Sequence, residues 1–204
     1  MNDLEELKKI ADCFEFMPGS SGLHSQAELS ALYLKHPIKD TVTFFGGSFN
    51  PFHEGHRECL DQCPEKNILI VPDRNPFKDV SLQNPAEEFF SLAEKLKETN
   101  YSLYPGFLLK TEKNPTSSWL PFVKLKEKNF LMGDDSFIDL PKWKNPEAII
   151  KALTKLYVVP RHFKKDDYLL VEMELLKWNP SLEIHYLAEH PYMNLSSTSL
   201  RSIK

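Results

Sequence analysis

Several kinds of chemistry are missing from this sequence, and each absence narrows the reading. No apolar run approaches the ~20 residues of a membrane-spanning helix. The amino terminus, Met1 to Phe16, is acidic and has no signal-peptide pattern. There are only three cysteines, Cys13, Cys59 and Cys63, which build neither a disulfide framework nor a C-x-x-C pair. They are expected to be reduced thiols in a cytoplasmic protein. Cys59 and Cys63, one helical turn apart, are expected to pack in a core rather than hold a metal. A basic excess is also lacking. With 25 basic and 29 acidic side chains the net charge is −4, which argues against general nucleic-acid binding. A local site can still be positive within an acidic protein. Neither membrane nor nucleic acid is therefore expected as a partner. Internal repeats and low-complexity segments are absent as well.

What is present suits one α/β domain with a small appendage: 204 residues, 41% of them hydrophobic. Residues 1–40 read as a helical extension. Leu4, Leu7, Ile10 and Ala11 recur at helical spacing, Pro18 to Gly22 is a break, and Ser25 can cap a second helix carrying Leu29, Leu32 and Leu34. From Thr41 onward strands and helices alternate. Strands are expected at 41–45, 67–72, 101–110, 129–133, 155–160 and 182–187. Helices are expected from Glu54 to Gln62, at 84–98, 115–126, 145–153 and 166–178, and from Ser197 onward. The apolar run Asn67 to Pro72 fits a strand buried on both faces. This alternation predicts a doubly wound, mostly parallel sheet over residues 41–204. Such a sheet binds ligands beyond the carboxyl ends of its strands, near a switch in strand order.

One stretch organises the rest: Phe44-Phe45-Gly46-Gly47-Ser48-Phe49-Asn50-Pro51-Phe52-His53-Glu54-Gly55-His56. A β-branched and aromatic run leads into two glycines, and proline keeps Asn50 out of the helical region. A helix start follows. Strand, glycine turn and helix start together make an anion site, because free backbone N–H groups point outward there. The run is neither the G-x-x-x-x-G-K-[ST] phosphate loop nor the G-x-G-x-x-G dinucleotide turn. His53-Glu54-Gly55-His56 spaces its histidines three apart, not the four of the zinc-protease H-E-x-x-H.

The stretch resembles the G-G-[ST]-F-[DN]-P-x-H-x-G-H signature of the nicotinate- and nicotinamide-mononucleotide adenylyltransferases. Further echoes follow in the family's order. Val71 to Lys78 resembles its proline-rich loop, Leu131 to Trp143 its G-A-D…L-P-x-W stretch, and Leu195 to Arg201 its I-S-S-T-x-[IL]-R signature. Pro115 to Trp119 is a weaker echo of P-S-Y-T. The resemblance spans residues 41–201 and implies a Rossmann-like nucleotidyltransferase fold.

It also implies a reaction. The phosphate of a pyridine mononucleotide attacks the α-phosphorus of ATP in line, releasing pyrophosphate. No covalent enzyme intermediate is needed, so the protein positions groups and stabilises charge. His53 and His56 would be the catalytic donors, with His56 on the α-phosphate. Gly46, Gly47, Ser48, Phe49 and Gly55 would line the ATP phosphates, and Ser197, Thr198 and Arg201 would form a second anion clamp. Gly133, Asp134 and Arg161 would meet the adenosine or its ribose. Asp134 could instead organise its loop. Lys78, Ser118, Trp119 and Trp143 would meet the pyridine nucleotide. Magnesium would arrive with ATP, held by phosphates and waters, so no dedicated protein metal site is expected. The implied substrates are ATP and nicotinate mononucleotide. Nicotinamide mononucleotide is the alternative, and a non-catalytic nucleotide sensor is a third reading.

The sequence departs from the pattern at Asn50, Phe77 and Ser118, and Arg161 lacks the expected following Pro-Gly. His162, His185 and His190 match no motif and are expected in surface or satisfied core roles. The chain has forty residues before Thr41 and ends at Lys204, three residues beyond Arg201. From this the extension is expected to pack against the end of the sheet that carries the last motif, with a loose tail or an interaction arm as the other reading.

Overall fold

The computed structural model describes residues 3–21, 32–73, 84–110, 112 and 114–201. Among them six strands form one sheet: β1 (Thr41–Gly47), β2 (Ile68–Pro72), β3 (Ser102–Leu103), β4 (Glu127–Gly133), β5 (Lys155–Val159) and β6 (Glu183–Tyr186). Their order is β3-β2-β1-β4-β5-β6. Every neighbouring pair is parallel, so the sheet is wholly rather than mostly parallel. The helices are α1 (Asp3–Asp12), α2 (Glu54–Gln62), α3 (Pro85–Leu96), α4 (Asp134–Asp139), α5 (Pro146–Ala152), α6 (Lys165–Trp178) and α7 (Ser197–Arg201). None of the described helices is long and apolar enough to cross a membrane.

The central strands are buried because helices cover both faces. Every residue of β2 is buried, and so are Val42 to Phe45 of β1 and Phe130 to Met132 of β4. From β1 the chain winds outward to β2 and β3, then returns past β1 to β4 and winds the other way. The strand order therefore switches between β1 and β4, and the crevice at their carboxyl ends is where such a sheet takes its ligand.

Local chemistry sets the element boundaries. The Asn84 side chain accepts a hydrogen bond from the Ala86 N–H (3.1 Å), and Pro85 occupies the first turn of α3, where no N–H is needed. The strand expected over 101–110 is confined to Ser102–Leu103. Pro105 cannot donate to a ladder, and the Tyr104 ring lies where a side chain on Gly106 would have to go. The helix expected over 115–126 is two short 3-10 turns, Thr116–Ser118 and Leu120–Phe122, broken at Trp119. Pro121 removes the N–H that a continuous helix would use. Helix α4 is not among the expected elements. Its signal is the acidic pair Asp134-Asp135 opening a first turn. Helix α6 buries Tyr168, Val171 and Leu175, yet Leu169, Leu170 and Met173 stand exposed, so its amphipathic division is incomplete.

The amino-terminal extension shares the core of the sheet. Leu7, Ile10, Phe14 and Met17 are fully buried in it, while Leu4 is largely exposed. Its position differs from the expected one. The Phe14 ring meets Tyr104 edge-on at 5.2 Å, Tyr33 packs on Phe89 of α3, and the Phe16 carbonyl accepts from the Lys124 N–H. The extension thus covers the β3 edge and α3. Helix α7 is held elsewhere, by the turn at Asn50 and Pro51. The expected cap at Ser25 and residue Leu29 lie outside the described residues. Of the same group, Leu32 is exposed and Leu34 packs on the core.

Candidate active site

The end of β1, where Gly46 and Gly47 extend the expected strand and still pair with Val71 and Pro72 of β2, meets the start of the helix that follows β4 at the switch point. A cavity of about 290 Å³ opens there, lined by Gly46 and Gly47 at the end of β1, by Ser48 and Phe49 just after it, and by His53, Gly55, His56 and Cys59 at the cap and start of α2. Gly133, Asp135 and Ser136 line it from β4 and α4, and Arg161 from the end of β5. His190, Tyr192 and Leu195 close it from the loop after β6. A second cavity of about 220 Å³ adjoins it, sharing Gly46, Gly47 and Ser136. Its other walls include Asp73, Thr116, Trp119 and Trp143. A broader groove of about 720 Å³ lies at the opposite, amino end of β2 and β3, lined by Asp61, Glu65, Glu98 and Tyr101. None of the motif residues reaches it, so the chemistry is assigned to the adjoining pair.

The two motif histidines are locked together. Their rings stack with centroids 3.8 Å apart. Nδ1 of His56 accepts a hydrogen bond from the His53 backbone N–H (3.3 Å), so the neutral ring carries its proton on Nε2. Around it stand Phe45, Phe49 and Phe52, with Phe52 stacked at 5.4 Å. Burial in this aromatic cage, with help from His53 and the Arg161 cation, pushes the His56 pKa down to about 3. Burial, Arg161 and Lys95 push His53 down to about 4. Both rings are neutral donors at physiological pH. Phe49 reaches its place in the cage with a left-handed backbone, φ 48°, a conformation uncommon away from glycine.

Gly55 separates the histidines for a steric reason. A Cβ there would lie 3.1 Å from two atoms of the His53 ring and 3.3 Å from the Tyr192 carbonyl oxygen. Gly55→Ala is therefore expected to push the His53 ring and the loop after β6 apart by a few tenths of an ångström. Turnover should fall about 10- to 100-fold, since misplacement of this kind is costly when catalysis rests on positioning. A melting temperature close to wild type alongside that loss would identify the cause as geometry; unchanged turnover would refute it.

Several residues expected at the site have other duties. The resemblance places Asp134 at the adenosine ribose, with organisation of its loop as the other reading. It is fully buried, and its Oδ2 accepts from the backbone N–H groups of Arg161 (2.7 Å), His162 (2.7 Å) and Phe163 (3.0 Å) and from the Tyr168 hydroxyl (2.9 Å). It organises the loop after β5 and does not line the cavity; Asp135 and Ser136 do. Arg161, set by that loop, spans the cavity wall and donates to the Met193 (3.0 Å) and Leu195 (2.9 Å) carbonyls.

Among the last motif's residues, Ser197 Oγ donates to the Pro51 carbonyl (3.0 Å) and Arg201 to the Asn50 carbonyl. These two brace the turn from behind, and the cavity wall does not include them. The side chain of Thr198 is not described. Ser118 is spent within its own turn, donating to the Pro115 carbonyl at 2.8 Å, and Thr116 lines the second cavity instead. Trp119 is almost wholly buried between Phe44 and Phe107 and shows only an edge to that cavity. Lys78 lies outside the described residues. Asn50 donates to Glu88 on α3 at 2.7 Å, a bond an ionised aspartate could not make. Cys59 and Cys63 are free, buried thiols.

Sequence reasoning missed Asp135, Ser136, Thr116 and His190. The first two directly follow Gly133 and Asp134, and their place beyond β4 was the available signal. No local signal marks His190.

Comparison with known proteins agrees with this architecture. The cytidylyltransferase-like family model matches residues 44–203, and the chain belongs to that family. It is 30% identical to a probable nicotinate-nucleotide adenylyltransferase of Leptospira interrogans, over 77% of this chain and 81% of the relative. It is 27% identical to a protein of the same description from Hydrogenobaculum, over 68% of this chain and 77% of that protein. A third so described, from Aquifex aeolicus, is 31% identical over 57% and 75% of the two chains.

Proposed function

We propose that this chain transfers the adenylyl group of ATP to nicotinate mononucleotide, giving the deamido dinucleotide and pyrophosphate, a step of NAD biosynthesis. The observation that carries this is the pair of adjoining cavities that share Gly46, Gly47 and Ser136. A reaction joining two nucleotides needs two pockets that meet at the reacting phosphates. The first has neutral imidazoles, backbone amides and Arg161, and takes ATP. The second has Trp119 and Trp143 and takes the pyridine mononucleotide, whose flat ring suits aromatic walls. The names of the relatives, probable nicotinate-nucleotide adenylyltransferases, support the same substrates.

In this reading the mononucleotide phosphate oxygen forms a bond to the α-phosphorus while the bond to the bridging oxygen breaks, and that oxygen leaves with pyrophosphate. His56 donates its Nε2–H to the α-phosphate as charge builds there. His53 donates beside it, and the glycine turn gives backbone N–H groups to the polyphosphate. Ser48 lies on the same turn. Arg161 holds the loop after β6 over the adenosine. The cavity wall carries N–H donors, the Ser48 and Ser136 hydroxyls and one carboxylate, Asp135. That set fits magnesium brought in on the triphosphate and ligated mainly by phosphates and water. Bound there, the ion would neutralise the leaving pyrophosphate. The role of Ser197 and Arg201 is to hold the Asn50–Pro51 turn, and through it the cage around His56.

Pyrophosphate release, measured with ATP, magnesium and each pyridine mononucleotide in turn, tests the proposal. Release with nicotinate mononucleotide well above that with the nicotinamide form is expected. Preference for the nicotinamide form would reassign the substrate. Nucleotide binding with no turnover of either would overturn the enzymatic reading in favour of a sensor.

A further inference from the structure

We propose that His190 is a substrate-contacting residue whose Nε2–H donates to a ring nitrogen of the adenine base of ATP. The proposal rests on the ATP-binding reading of the cavity. His190 is 5% exposed and lines that cavity. Its Nδ1 accepts a hydrogen bond from the Tyr192 backbone N–H (3.2 Å), which leaves the proton of the neutral ring on Nε2. That nitrogen is buried and has no partner among the described residues. Buried donors are nearly always satisfied, and His190 lines the ligand cavity, so its orphan nitrogen is assigned an acceptor on the ligand.

Strand order places the contact at the nucleoside end. The glycine turn and the stacked histidines stand over β1, Gly133 and Ser136 over β4, and Arg161 over β5. His190 comes from beyond β6 and contacts Tyr192, and the wall also holds Cys59 and Leu195. A wall of thiol, ring and aliphatic groups suits a purine better than a polyphosphate. The charged groups that face the ring are Glu58 and Arg161. Burial and Arg161 push its pKa down, against the pull of Glu58, and the net direction is down. The ring is therefore a neutral single donor, matched to a neutral acceptor.

Calorimetric binding of ATP, of its 1-, 3- and 7-deaza analogues and of inorganic tripolyphosphate to the wild-type chain and to His190→Asn tests this. Asparagine can keep an acceptor for the Tyr192 N–H but lacks the reach of Nε2. One of the three deaza analogues is expected to bind wild type roughly tenfold more weakly than ATP, the worth of one buried hydrogen bond. His190→Asn should bind ATP roughly tenfold more weakly and should no longer distinguish ATP from that analogue. Tripolyphosphate should bind both proteins alike. The proposal is overturned if all three analogues bind wild type as well as ATP does. It is also overturned if the discrimination survives in the variant, or if tripolyphosphate weakens in parallel with ATP. Because these are binding measurements, a wild type that binds ATP without forming a dinucleotide would fail the proposed reaction while the adenine contact of His190 still stood or fell on its own numbers.

Discussion

His56→Ala is expected to lower kcat by about 10²–10³-fold while the KM for ATP changes little. The ring is a neutral donor, fixed by the His53 N–H at Nδ1 and by the aromatic cage around it. A preset donor of this kind gains most of its strength as charge develops, so its loss appears in turnover rather than in ground-state binding. A variant that only raises the KM for ATP would show that His56 is a binding residue. The proton linkage gives a second reading of the same side chain. The unfolded ring titrates near 6.5, whereas in the fold it titrates at about 3. Between those values the unfolded chain takes up a proton and the folded chain does not. The stability of the neutral ring is thus complete above about pH 6.5 and is lost as pH falls. His53 works in the same direction. The melting temperature of wild type should drop on acidification from pH 7 to 5, and that of His56→Ala should drop less steeply.

Asp134→Ala is expected to be the most damaging single change to the fold of the site. It strands three backbone N–H groups and the Tyr168 hydroxyl, all donating to one buried oxygen. Breaking a buried, multiply bonded charge destabilises by about 3–5 kcal/mol, roughly 6–20 °C in a chain of this size. The loop carrying Arg161 would be released with it. Activity at low temperature should then fall along with the melting temperature, and Asp134→Asn, which keeps one acceptor oxygen, should lie between. Burial raises the Asp134 pKa, but the N–H groups of His162, Phe163 and Arg161 and the Tyr168 hydroxyl outweigh it, and the net value sits below the usual carboxylate range. A carboxylate held low stabilises the fold above its ordinary pKa near 3.9, and that contribution is lost as pH falls through the lowered value. Full stability of Asp134→Ala would overturn this account, and full stability together with lost turnover would reopen a direct role for the carboxylate at the ribose.

The contrast between these two residues shows what a linear sequence carries. Gly46 to His56 was legible because every link in it is local: a strand, a turn needing small residues, proline after Asn50, and a helix start with histidines one turn apart. Local backbone preferences act within a few residues, so they leave a readable pattern. The alternation of apolar strand runs with helical spacing likewise determined the doubly wound parallel class, since each element must bury one face against the next. Asp134 was legible as a motif residue with two readings, ribose contact or loop organisation, and the choice between them was not legible because its four donors come from residues 161–168. Ser197 and Arg201 form a recognisable motif, yet whether they face the cavity or brace the turn at Asn50 depends on where a five-residue helix docks. His190 had no local mark at all. Its meaning comes from a loop after β6 that folds back across Arg161 to reach α2, and only long-range packing brings those segments together. The placement of the amino-terminal extension was decided in the same way. Its apolar stripe announced that a face must be buried, and the surface it found, at the β3 edge and α3, was fixed by the sheet that the rest of the chain had built.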